Sequence, residues 1–98
     1  MMLLAIHFED RDELRRKKLP GSFWLSQPED DGTQFFWYIC PSGSGDLLVI
    51  MVGNGFKPHE APSWKWNGSW TEPTLSPSVH YRDHYHGWLQ DGYWKECG

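Results

Sequence analysis

Residues 46–53, DLLVIMVG, are a continuous apolar run rich in Val and Ile between turn formers, the pattern of a strand buried on both faces. Such a strand needs a neighbour on each side, so it predicts a central strand whose partners come from the remaining chain. SFWLS (22–26) and TQFFWYIC (33–40) are aromatic, β-favouring runs joined by QPEDDG, which predicts a β-hairpin with a longer loop. CPSGSGD is the next turn, and NGFKPHEAPS, with its prolines and glycine among polar residues, is a loop.

The stretch Trp64 to Leu89 holds four of the seven tryptophans and three of the five histidines. Trp64 and Trp66 are two apart and share a strand face, and Asn67-Gly68 favours a tight hairpin turn. Pro73 and Pro77 remove two backbone donors, so TEPTLSPSV is extended and irregular. HGWLQDGYWKEC reads as a closing hairpin with Asp91-Gly92 at its turn. The proline-pinned segment is expected to lay an aromatic lid over the DLLVIMV strand.

At the N-terminus, MLLAIHF suits a short strand. EDRDELRRKK places acids first and bases last, as a helix dipole favours. Leu14 is the only interior apolar residue there, which predicts a weakly held helix of one to three turns, ended at Leu19-Pro20-Gly21. The fold class is therefore mainly β, a small antiparallel sheet or barrel-like sandwich with one short N-terminal helix. One domain spans 1–98, with a strand and helix over 1–20 and an aromatic-rich β core over 21–98.

Charge and cysteine content narrow the function. The 9–18 segment carries five bases and four acids, which leaves residues 19–98 with four bases against nine acids, a surface that repels a phosphate backbone. Direct nucleic-acid binding is not expected. Two cysteines, Cys40 and Cys97, are too few for a disulfide framework, and no apolar run approaches a membrane span. The chain reads as cytoplasmic, with no membrane contact.

CPSGSGDLLVI, WNGSWTEPTLSPSV and HGWLQDG, in this order, resemble a small domain of unknown function found in phages and bacteria, whose phage members are often labelled ammonia monooxygenases. The resemblance covers roughly residues 37–97, and Pro73 to Ser78 is its most specific part. It implies a compact β domain with a Cys/His cluster that binds zinc. Cys40 matches the first cysteine of that pattern and His86 the histidine, while Ser42 and Ser44 stand where further cysteines would. The cysteine expected shortly before the histidine is replaced by the Asp83-His84-Tyr85 neighbourhood. The departure suggests a domain in which tryptophan packing has taken the place of metal.

Read from the residues themselves, Cys40, His84, His86 and Cys97 supply the number and type of ligands a tetrahedral zinc site wants, though not a CxxC spacing. The alternative is a pair of core histidines with a buried and a terminal thiol. Cys40 before a Gly-rich turn also admits a nucleophilic thiol served by His84 or His86, against a plain structural turn. Glu60, Glu72, Asp83 and Asp91 fit an acidic surface better than a glycosidase pair. Most tryptophans must be core in a chain this small, with two or three left exposed, Trp70 being the expected anchor.

These readings converge on a binding surface of Trp64, Trp70, Glu72, His84 and His86. The function expected from it is a non-enzymatic, phage-type accessory protein that docks on a host or phage protein with a basic surface. One form is inhibition of a nucleic-acid-handling defence complex, in the manner of anti-CRISPR proteins. The alternatives are a zinc-binding or thiol-dependent enzyme using Cys40 with His84 or His86, and a carbohydrate-binding module built on the tryptophans.

Overall fold

The computed structural model describes residues 2–81 and 85–96. Its strands are β1 (Met2–Leu4), β2 (Phe23–Leu25), β3 (Thr33–Ile39), β4 (Leu47–Asn54), β5 (Ser63–Trp66), β6 (Leu75–Ser76), β7 (Val79–Tyr81), β8 (Tyr85–Gln90) and β9 (Tyr93–Glu96), with α1 (Arg11–Lys17) after β1. They form two sheets, of order β2-β3-β4-β5-β6 and β1-β9-β8-β7. The chain is thus mainly β with one short helix, as its sequence predicts.

The apolar run does become the middle strand of the larger sheet, but it alternates instead of being buried on both faces. Leu48, Ile50 and Val52 are buried while Val49 is 42% exposed, because α1 covers the outer face only beside β2 and β3. Phe23, Phe36, Tyr38, Ile50, Val52 and Trp66 from this sheet meet Val79, Tyr85, Leu89 and Trp94 from the other in one core cluster. Trp94 ties the core to the N-terminal connection, its Nε1 donating to the Gly21 carbonyl at 2.9 Å.

The helix is held more firmly than one interior leucine suggests. Asp10 caps it, accepting from Asp12 N at 2.8 Å, and Lys18 in the left-handed region closes it onto the Leu14 carbonyl. Leu14 is wholly buried, and the Arg11 guanidinium lies 5.7 Å and 5.3 Å from the ring centres of Trp24 and Trp37.

The three hairpin expectations fare differently. β2 and β3 pair antiparallel across the longer loop, and β8 and β9 join through Asp91 (φ 50°) and Gly92 (φ 88°), the conformations a two-residue turn of this type demands. Asn67-Gly68 does not make a tight turn. Trp66 pairs with Leu75, so residues 67–74 form a wide loop. The Asn67 side chain organises it, accepting from Ser69 N and Thr74 N at 3.1 Å each and donating to the Glu72 carbonyl at 3.0 Å. β5 runs parallel beside β4, Val52 opposite Trp64 and Asn54 opposite Trp66.

Candidate functional site

The proline-pinned segment delivers its last residues to the edge of the smaller sheet. Val79 is buried, so its neighbours Ser78 and His80 lie on the opposite side of the chain. β7 pairs with β8 so that His80 faces His86 across the ladder, and the two exposed imidazoles stack with centroids 4.4 Å apart. Trp64 fixes this end of β7 from the other sheet, its Nε1 donating to the Ser78 carbonyl at 3.1 Å.

The serine hydroxyls divide clearly. Ser22, Ser26 and Ser63 donate to backbone carbonyls, Ser42 pairs with the Cys40 thiol, and Ser69 binds Glu72 N. Among the described residues, the hydroxyls of Ser76 and Ser78 have no such commitment. Ser78 is half-buried and precedes His80 by two residues, whereas Ser76 is exposed and faces Lys65 across β5 and β6. A hydroxyl next to imidazole is the pairing that nucleophilic hydrolysis uses, since the hydroxyl is inert until a neighbouring base removes its proton.

The residues expected to form the site do not gather in one place. Trp64 and His80 line a common cavity of about 380 Å³ together with Phe35, Val49, Met51 and Pro62. Trp70, 45% exposed, lies instead against His7 at 4.3 Å and edge-on to Trp66 at 5.2 Å, lining a different cavity with Glu9 and Trp24. Glu72 belongs to the loop around Asn67. Trp88 is the other tryptophan exposed to a comparable degree.

Of the four zinc-ligand candidates, His84 and Cys97 lie outside the described residues. Cys40 is wholly buried in the core with its Sγ 3.0 Å from Ser42 Oγ, and His86 is exposed on the outward side of β8. Among the described residues, no three His, Cys, Asp or Glu side chains are grouped as metal ligands. No described helix is long and apolar enough to cross a membrane.

Sequence reasoning passed over Ser78 and His80. The signal was present in the Ser-Val-His alternation that follows Pro77, which puts hydroxyl and imidazole on one side of any strand begun there.

Residues 8–97 match the family model described as bacterial ubiquitination-like system serine protease (BubE), and the chain belongs to that family. No curated protein and no solved structure gives a match. Membership in a protease family overturns the expectation of a non-enzymatic, anti-CRISPR-like accessory protein. That expectation rested on size, acidity, aromatic anchors and the phage-like resemblance, none of which bears on whether a chain is an enzyme. The resemblance seen in the sequence holds as far as a small bacterial domain.

Proposed function

We propose that the chain is a serine peptidase acting on a protein substrate of a bacterial ubiquitination-like system, with Ser78 as nucleophile and one of the His80 and His86 imidazoles as its base. The family to which residues 8–97 belong supports the reaction class. The observation that carries the residue assignment is the uncommitted Ser78 hydroxyl just before β7, two residues from His80 and so on the same side of the chain as the stacked His80–His86 pair. Ser78 Oγ attacks the scissile carbonyl as imidazole takes its proton, and the imidazolium then protonates the leaving amine. Water hydrolyses the resulting ester with the same imidazole as base, which restores the serine. A cytoplasmic location accords with this reading.

A fluorophosphonate probe tests the assignment, because it labels an activated serine without requiring the natural substrate. The wild-type protein and Ser76→Ala should label, and Ser78→Ala should not. Replacing the histidine that serves as base should slow labelling by about 10²–10⁴-fold, the usual size of a general-base contribution. Circular dichroism melts show whether each variant is folded. Labelling of folded Ser78→Ala at the wild-type rate, or no labelling of the wild type, would remove the assignment.

A further inference from the structure

β4 is paired from Leu47 to Gly53 by β3 but only from Met51 to Asn54 by β5. Over Leu47–Ile50, no described strand pairs with its second edge. The direction of the backbone groups there follows from two bonds. Cys40 N donates to the Asp46 carbonyl at 2.8 Å, continuing the β3–β4 ladder by one residue, and Gly55 N donates to Trp66 on the β5 side at 2.7 Å. Alternation between them turns Leu48, Ile50 and Val52 toward β3 and Leu47, Val49, Met51 and Gly53 toward the β5 side. Leu47 and Val49 therefore present their N–H and C=O groups to an open edge.

That edge is one wall of the cavity formed by Phe35, Val49, Met51, Pro62, Trp64 and His80. The cavity reaches the proposed catalytic group at its His80 end. Met51 also lines a second cavity of about 310 Å³ with Glu29, Asp31 and Glu60, so acidic side chains stand beyond the Met51 end of the groove. A protein edge with free backbone groups, side-chain pockets and a charged end is suited to binding an extended peptide by strand addition.

We propose that the substrate docks as an added strand on β4 over Leu47–Ile50, with aliphatic side chains in the groove and a Lys or Arg directed at Glu29, Asp31 and Glu60. The occupant is thus an extended, basic and aliphatic peptide segment of the substrate protein. Charge complementarity at the acidic end and continuity with His80 distinguish it from a folded partner face. The inference rests on the reading of Ser78 and His80 as catalytic, because it uses their position to place the scissile bond.

The test uses the full chain carrying Ser78→Ala and a fluorescein-labelled peptide, Arg-Leu-Val-Leu-Val-Leu, followed by anisotropy. Backbone N-methylation at alternate peptide positions should weaken binding about tenfold, and at the interleaved positions by less than about twofold, since only alternate amides of an added strand face its partner. Val49→Pro removes a donor that points into the groove and none that points at β3, so it should weaken binding while the protein still melts cooperatively. Replacing the peptide's Arg by Gln should cost affinity in this protein, and much less in the Glu29→Gln, Asp31→Asn, Glu60→Gln variant. Equal affinity for all N-methylated peptides, or unchanged affinity in folded Val49→Pro, overturns the proposal. So does a sedimenting dimer that Val49→Pro dissociates, which would mean a second copy occupies the edge. Alternating N-methyl effects together with probe labelling of Ser78→Ala would leave the groove standing and remove the serine assignment. Loss of labelling without peptide binding would do the reverse.

Discussion

His7 shows how one side chain couples packing to pH. It sits between Phe23 and Trp70, with ring centroids 5.3 Å and 4.3 Å away, and burial holds its pKa below the ordinary 6.5, against a smaller opposing pull from Glu9. A histidine whose folded pKa is depressed stabilises the fold as the neutral form. The unfolded chain takes up the proton first, so this contribution is complete above about 6.5 and is lost as pH falls from there toward the folded pKa. The melting temperature of the wild type should therefore decline between pH 7 and pH 5 more steeply than that of His7→Gln, measured by circular dichroism. Parallel curves would show that His7 contributes nothing to the acid limb. His7 does not stand out in the sequence as a site residue, since what distinguishes it is Trp70, a neighbour far away in the chain.

Among the elements, α1 is the one whose sequence and structure differ most in apparent strength. Seven residues form too short a helix to stand alone in water. Its ends are supplied locally by Asp10 and Lys18, whereas its anchorage comes from elsewhere in the chain. Leu14 enters a site closed by β2 and β3, and Arg11 reaches the ring faces of Trp24 and Trp37, strands that the sequence places only later. Leu14→Ala should cost about 2–4 kcal/mol in chemical denaturation, the range for truncating a buried leucine. Arg11→Ala should cost about 0.5–1 kcal/mol for the exposed side of the same contact. An effect of Leu14→Ala below that of Arg11→Ala would mean the helix is a surface appendage. The 67–74 loop carries the complementary lesson. Asn-Gly is a strong hairpin signal, yet Pro73 and the Asn67 side-chain bonds to Ser69, Thr74 and Glu72 stabilise a wider turn instead.

At the scale of the molecule, Cys40 reports on the sandwich as a whole. Its thiol is wholly buried in the core cluster that joins both sheets, so a thiol reagent reaches it when the core opens. Its modification in native buffer should be slower than in denaturant by a factor near the unfolding equilibrium constant, on the order of 10³ or more for an ordinary small domain. Rapid labelling of Cys40 in the native protein, followed by peptide mapping to separate it from Cys97, would contradict that burial. The mainly β class, the place of DLLVIMVG as a middle strand, the β2–β3 and β8–β9 hairpins and the capped helix all follow from local residue chemistry. Period, β-branching and turn residues act over a few neighbours. The parallel pairing of β5 with β4, the open edge that this short partner leaves at Leu47–Ile50, the pairing of His80 with His86 and the Trp64 bond to the Ser78 carbonyl required the tertiary structure. They depend on which strand edges come together across long separations, and no local preference encodes that choice, because every β edge presents the same backbone donors and acceptors until packing decides its neighbour.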